Sequence, residues 1–110
     1  MGKERFRKRI TDCTCLVTKG YGSVEEHLYV SPVALVYNVF SIDEDEGKRR
    51  GLMIHAVVPL KYSTAQFLIH KVKKLSAGEA FKYLKRVLDE NWKIGKVRNE
   101  CHILPCLDRC

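Results

Sequence analysis

The segment that most constrains the fold is residues 51–75, GLMIHAVVPLKYSTAQFLIHKVKKL, because it places a strand, a corner and a helix in direct succession. Residues 52–58 are largely apolar on both alternating faces, which indicates a strand near the middle of a sheet. Pro59 then ends that strand. Ser63 followed three positions later by Gln66 has the form of a capping box, which predicts that a helix begins there.

The predicted helix has an apolar side and a basic side. Its apolar residues lie roughly on one face and are expected to pack on the sheet: Ala65, Phe67, Leu68, Val72 and Leu75. Lys71, Lys73 and Lys74 lie off that face. The pattern therefore predicts a helix that packs with one side and presents ammonium groups with the other.

Length and charge limit the class of protein. With 110 residues, the chain is expected to form one domain. No run approaches the ~20 apolar residues that a membrane span needs, and the charged amino terminus is not followed by an apolar signal sequence. We therefore expect a cytoplasmic protein with no membrane partner. The net charge of +7 favours a polyanionic partner, most simply nucleic acid.

The first nine residues are rich in bases and lack the periodicity of a buried element. Five of these residues could lie near phosphates: Lys3, Arg5, Arg7, Lys8 and Arg9. We predict that residues 1–9 form a flexible basic arm that contacts phosphates without reading sequence. The alternative is a frayed, solvated terminus.

Two strands with a short helix between them are predicted next. Residues 10–18 are rich in Thr, Val and Cys and indicate a strand that ends at the glycines of residues 19–22. Ser23 and the acids after it have the form of a helix start, which predicts a short helix over residues 24–28 that ends before Pro32. His27 on this helix is interpreted as a surface residue. Residues 33–42 are β-branched and aromatic and indicate a buried strand.

Residues 43–50 carry four acids, a glycine and three bases, and are predicted to form a hairpin loop. The acids lack the spacing of a calcium loop and are interpreted as a solvated tip. Lys48, Arg49 and Arg50 lead into the central strand. We expect them to form one continuous positive face with the lysines of the basic helix.

Residues 76–98 allow two readings at first. Ser76 with Glu79 matches a capping box, and residues 80–88 fit a helical face, but Phe81, Tyr83 and Val87 also fit the alternation of a strand. Residues 89–91 are typical of a turn, and residues 92–98 indicate a further strand.

The order of these motifs resembles that of a known family. Asp12-Cys13-Thr14 in the first strand, the apolar strand of residues 36–42, the charged hairpin, and Val58-Pro59 running into a lysine-bearing helix are similar to the eukaryote-specific ribosomal protein numbered twenty-two of the large subunit. The resemblance implies an α/β sandwich that binds structured ribosomal RNA, partly through Lys61, Lys71 and Lys74. It also implies that residues 80–88 form a strand, and we adopt that interpretation.

The sequence thus predicts a single α+β domain with a mostly antiparallel sheet, in the order β-α-β-β-α-β-β. Residues 10–100 form the RNA-binding domain, and residues 101–110 form an appendage outside the sheet. The expected function is that of a structural component of the large ribosomal subunit, in contact with ribosomal RNA and neighbouring ribosomal proteins, without self-assembly or cofactor. A free-standing RNA-binding or regulatory protein is the alternative. A nucleic-acid-processing enzyme is suggested only by His55 and Tyr62.

The five cysteines raise the question of a metal site. Cys13 and Cys15 are separated by one residue in the first predicted strand, and a second group lies at the carboxyl end: Cys101, His102, Cys106 and Cys110. The second group could bind zinc through thiolates and imidazole, but its spacing is not the CxxC pair of zinc ribbons. We therefore expect reduced thiols and no metal, with zinc at the carboxyl-terminal group as the alternative.

Overall fold

The computed structural model describes residues 3–43 and 45–101. In this part of the chain, six strands form one antiparallel sheet, and two helices cover one of its faces. The elements in chain order are β1 (Arg5–Ile10), β2 (Cys15–Tyr21), β3 (Val24–Val30), β4 (Ala34–Asp43), β5 (Lys48–Pro59), α1 (Tyr62–Lys73), α2 (Ala77–Lys93) and β6 (Arg98–Cys101). The prediction of a single α+β domain is therefore confirmed.

Each strand of the sheet pairs with its neighbours in chain order, so that β1 and β6 are the two edges. Tight turns join the early strands. Gly22 between β2 and β3 has a φ of 58°, and Gly47 between β4 and β5 has a φ of 67°, a region that glycine enters without steric cost. The connection from β5 to β6 contains both helices, and β6 returns to pair antiparallel with β5.

The core lies between the sheet and the helices. Alternation along the strands directs one set of apolar side chains toward α1 and α2: Cys15, Val17, Leu28, Val30, Leu35, Tyr37, Val39, Ala56 and Val58. Ala65, Leu68, Ile69 and Val72 on α1 pack against this set, as do Ala80, Phe81, Leu84 and Leu88 on α2. The edge strand β1 joins the core through Phe6, whose ring centroid lies 5.9 Å from that of Phe81.

The predicted short helix over residues 24–28 is wrong, because these residues form β3. Ser23 and the acids after it do favour a helix start, but this preference acts only within one turn. Leu28 and Val30 alternate with His27 and Tyr29, and both neighbouring strands complete the backbone hydrogen bonds of this segment. Pairing on two sides and burial of Leu28 outweigh a capping preference of about 1 kcal/mol.

The predicted flexible arm and the first predicted strand both differ from the structure. Residues 5–9 belong to β1, and the chain then turns at residues 11–14 before β2 begins at Cys15. Thr11 and Thr14 stabilise this turn, since their hydroxyl oxygens lie 2.8 Å apart and the Thr11 amide donates to the Thr14 carbonyl. The arm becomes a strand because Phe6 and Ile10 can reach the core from alternate positions.

The predicted strand over residues 80–88 is also wrong, because these residues lie within α2. The Ser76 capping box is confirmed: the Glu79 amide donates to Ser76 Oγ at 3.2 Å, and the Ser76 amide donates to Glu79 Oε1 at 3.1 Å. Trp92 and Lys93 belong to α2, so β6 begins only at Arg98. The structure therefore has five strands, two helices and one strand, and the predicted order β-α-β-β-α-β-β is wrong.

The helix after Pro59 is confirmed as α1, but its start and its packing face differ from the prediction. Lys61 is the N-cap residue and supplies no side-chain cap, so Ser63 and Gln66 form no capping box. Leu68 is buried as expected, whereas Phe67 is 61% exposed. The predicted strands of residues 33–42 and 52–58 are confirmed as β4 and β5.

The appendage predicted for residues 101–110 is contradicted at its first position. Cys101 belongs to β6 and is paired with His55 on β5. Residues 102–110 lie outside the part of the chain that the structure describes.

Candidate nucleic-acid interface

The face of the sheet opposite the helices carries a polar surface, which we call the open face. The strand register aligns five of its residues in a row from β1 to β5: Arg7, Thr18, His27, Asn38 and His55. A second row contains Arg5, Gly20, Glu25 and Phe40. Because side chains two apart on a strand share a face, these rows bring charged groups from distant parts of the sequence together.

Three arginines form one border of the open face. Arg5, Arg7 and Arg9 are exposed at alternate positions of β1, so they point the same way at intervals of about 6.6 Å. The guanidinium of Arg5 lies next to Gly20 on β2. A Cβ atom at Gly20 would lie 3.4 Å from Nη2 of Arg5. This edge strand therefore presents a line of guanidinium groups.

A groove lies beside the arginine row. Its central part, which we call the recess, has a volume of about 310 Å³. The recess is lined by Arg7, Lys8, Arg9, Leu16, Thr18, Glu25, His27 and Arg49. A second cavity of about 390 Å³ is lined by Arg5, Arg7, Thr18, Gly20 and Glu25. Arg7, Thr18 and Glu25 line both cavities, so we treat them as one groove with bases on both sides.

Glu25 and His27 are held together within the groove. His27 Nε2 lies 2.6 Å from Glu25 Oε1, and Arg49 Nε lies 3.6 Å from the same oxygen. Burial alone would raise the pKa of Glu25, but the His27 hydrogen bond and the charges of His27 and Arg49 outweigh it and lower the pKa below its ordinary value. Glu25 therefore carries a negative charge at neutral pH.

Aromatic contacts fix the positions of His27 and Arg49. The ring of Phe40 meets that of His27 edge to face, with centroids 5.0 Å apart. The Arg49 guanidinium lies over the same Phe40 ring at 4.7 Å, a contact that suits its planar, weakly hydrated cation. The Phe40 ring thus orders one wall of the recess.

The structure gives Lys8, one of the predicted phosphate contacts, a different position. The Lys8 ammonium donates to the carbonyl oxygens of Val72, at 3.1 Å, and of Leu75. These carbonyls belong to the last turn of α1 and the residues after it, where the negative end of the helix dipole favours a cation. The Val72 carbonyl also accepts from the Leu75 amide at 3.1 Å. Lys8 therefore stabilises the end of α1.

Arg49 does not share a face with the helix lysines, contrary to the prediction of one continuous positive face. Arg49 contacts Glu25 and Phe40 on the open face. The α1 lysines lie on the other side of the sheet, where Lys61, Lys73 and Lys74 are exposed and Lys71 lies 5.9 Å from the centre of the Tyr83 ring. Lys3, Lys48 and Arg50 are exposed and lie outside the two cavities.

Three polar side chains of the groove were missed from the sequence: Thr18, Glu25 and His27. The helix predicted over residues 24–28 places Glu25 and His27 on different sides, whereas β3 places them on one face. The alternation of Glu25, His27 and Tyr29 with apolar Leu28 and Val30 was the available signal.

The cysteines give no metal site among the described residues. In residues 3–43 and 45–101, no three His, Cys, Asp or Glu side chains are grouped to hold a metal ion. Cys13 is exposed in the β1–β2 turn and Cys15 is buried in β2. Burial raises the pKa of the Cys15 thiol to about 11. Of the alternative zinc ligands, His102, Cys106 and Cys110 lie outside the described residues.

Comparison with known proteins gives no relative for this chain. No protein family, no curated protein and no solved structure matches it. Neither helix in the described part of the chain is long and apolar enough to cross a membrane. Functional inference therefore depends on the groove itself.

Proposed function

We propose that the protein binds RNA through the groove of the open face. The observation that carries this proposal is the convergence of Arg5, Arg7, Arg9 and Arg49 on one groove. Guanidinium groups bind phosphate oxygens by paired hydrogen bonds and release counterions from the nucleic acid. The net charge of +7 adds long-range attraction for a polyanion.

The helix lysines are a competing surface, and we propose the groove in preference to them. Lys71 lies over the Tyr83 ring. Lys73 and Lys74 line neither of the two cavities found among the described residues. In the groove, by contrast, cations, the Glu25 carboxylate and the His27 ring line a concave site. Such a site can orient a ligand as well as attract it.

A salt titration with two charge-matched variants tests this proposal. Arg5, Arg7 and Arg9 are replaced together by Gln in one variant, and Lys71, Lys73 and Lys74 in the other. The affinity for a fluorescent RNA is measured by anisotropy between about 50 and 200 mM salt. Because each phosphate contact contributes about 0.7–0.9 to the slope of log affinity against log salt, the arginine variant should reduce that slope by roughly 2–3.

The lysine variant should keep the slope of the parent protein. If the salt dependence of the affinity fell in the lysine variant and stayed the same in the arginine variant, the binding surface would be α1 and the proposal would be wrong. Circular dichroism of each variant controls for folding.

Association with the large ribosomal subunit is a narrower form of this proposal. Its support is the sequence resemblance. One implication of that resemblance, a strand over residues 80–88, is wrong, because these residues lie in α2. Co-sedimentation with large subunits at moderate salt tests it directly. A protein that binds free RNA but stays at the top of the gradient would be a free-standing RNA-binding protein.

A further inference from the structure

The recess contains a feature that a simple phosphate site would exclude. Glu25 places a carboxylate among the arginines, and a carboxylate repels phosphate. Both contacts that the described residues make with Glu25 fall on Oε1. Glu25 lines the groove, and no contact of its Oε2 with another described residue accompanies these two, so Oε2 can accept a hydrogen bond from a ligand.

Arg7 supplies the complementary donors. It lines both cavities of the groove and makes no hydrogen bond or ion pair with any described residue. The groove is thus lined by a charged acceptor and by charged donors that have no partner among the described residues. A ligand that matches both must carry N–H or O–H donors next to oxygen or nitrogen acceptors.

Among the four RNA bases, guanine fits this pair best. Its N1–H and N2 amino groups are adjacent donors, which suit a carboxylate. Its O6 and N7 are adjacent acceptors, and an arginine bound to both is the commonest base-specific contact of proteins. A phosphate group has acceptors only and would leave Oε2 of Glu25 opposed to a negative charge.

We propose that the recess binds one guanine base of a single-stranded RNA, with Glu25 accepting from the N2 amino group and Arg7 donating to O6 and N7. The inference rests on the proposed function. The strand is single because N1 and N2 of guanine are occupied in a duplex, and RNA-binding proteins read such edges in unpaired bases. The recess volume of about 310 Å³ is at the lower end of the range for small-ligand sites, about 300–1,000 Å³.

The arginine row explains how the rest of the strand would bind. Arg5 and Arg9 flank Arg7 on β1 at intervals of about 6.6 Å, which is comparable to the separation of successive phosphates in an extended strand. Tyr29 on the open face is 37% exposed and offers a ring on which a neighbouring base could stack. Arg5 and Arg9 would contact the backbone while Arg7 and the recess read one base.

The test compares two labelled RNA decamers, oligo(U) and the same oligomer with one central guanosine, by fluorescence anisotropy. The wild-type protein should prefer the guanosine decamer by on the order of tenfold. Glu25→Gln should reduce that preference to below about twofold. It should also bind oligo(U) more tightly, because it removes a negative charge from an anion-binding groove. Glu90→Gln, an equal change of charge at an exposed position of α2, should alter neither value.

Inosine in place of guanosine gives a second test that does not depend on a variant that folds. Inosine lacks the N2 amino group, so the wild-type protein should bind the inosine decamer several-fold more weakly than the guanosine decamer. Glu25→Gln should bind both equally. A wild-type protein that binds oligo(U) and the guanosine decamer equally would overturn the base-reading inference and leave the RNA-binding proposal standing. Failure to bind any RNA would overturn both.

Discussion

Cys13 and Cys15 are separated by one residue but lie in opposite environments. Cys13 is exposed in the β1–β2 turn, whereas Cys15 is fully buried beneath the helices. Removal from water disfavours the thiolate, which raises the pKa of Cys15 from 9.0 to about 11. The thiolate is the reactive form, so the two residues should differ strongly in reactivity.

We expect iodoacetamide to modify Cys13 in the native protein and to modify Cys15 only after unfolding. Mass spectrometry that localises the modified residue, with and without urea, measures this. Equal alkylation of both thiols in the native state would contradict the burial of Cys15.

The raised pKa also means that the folded protein holds the Cys15 proton more tightly than the unfolded chain does. The contribution of the protonated thiol to the free energy of unfolding is complete below pH 9.0 and is lost as the pH rises toward about 11.

Lys8 is the residue whose role changes most between sequence and structure. Its ammonium donates to carbonyls at the end of α1, so Lys8→Met should keep the side-chain stem and lose those bonds. We expect a loss of about 1–2 kcal/mol in the free energy of unfolding, measured by urea denaturation. Lys3→Met, at an exposed position before β1, is the matched control and should have no effect. A Lys8 variant as stable as the control would mean that this contact contributes nothing.

At the scale of single elements, α1 shows how one position of helical register decides burial. Its buried residues are Ala65, Leu68, Ile69 and Val72, the spacing of one helical face. Phe67 precedes Leu68 by one residue, about 100° around the helix, and is therefore left 61% exposed.

Leu68→Ala and Phe67→Ala form a matched pair for this register. Leu68→Ala should cost about 2–5 kcal/mol, because it leaves a cavity against the sheet. Phe67→Ala should change stability by less than about 0.5 kcal/mol, since most of its ring is already in water. Thermal denaturation of both variants measures the difference. Equal costs would place Phe67 in the core and rotate the helix from the face seen in the structure.

At the scale of the whole molecule, the fold depends on contacts between its first and later elements. β1 packs Phe6 against Phe81 of α2 and directs Lys8 to the end of α1. It is thus the edge strand of the sheet and also a partner of both helices.

Deletion of residues 1–10 should therefore cost several kcal/mol, a large part of the stability of a domain this small. The triple change of Arg5, Arg7 and Arg9 to Gln alters the same strand only on its exposed side. It should leave the melting temperature within a few degrees of the parent. If the truncated protein melted like the parent, residues 5–9 would behave as the flexible arm that composition predicts.

The candidate site could be predicted from the sequence only in part. Composition and charge predict a polyanionic partner, and the sequence selects Arg5, Arg7, Arg9 and Arg49 among its candidate contacts. These four residues line the groove, and their contact with nucleic acid stays a prediction. It gives no indication that Lys8 belongs elsewhere, since neighbouring bases look alike until a strand alternates them between two faces. Glu25 and His27 join the site only through the pairing of β3 with β2 and β4.

The sequence by itself determined what local chemistry decides. Gly22 and Gly47 mark turns, Pro59 ends β5, and Ser76 with Glu79 caps α2, because each of these effects acts within a few residues. Only the tertiary structure decided that residues 24–30 pair as a strand, that β1 is part of the sheet, and that Arg49 and the α1 lysines lie on opposite sides of the sheet. Those outcomes depend on pairing and burial between segments far apart in the chain, and such contacts outweigh local preferences of about 1 kcal/mol.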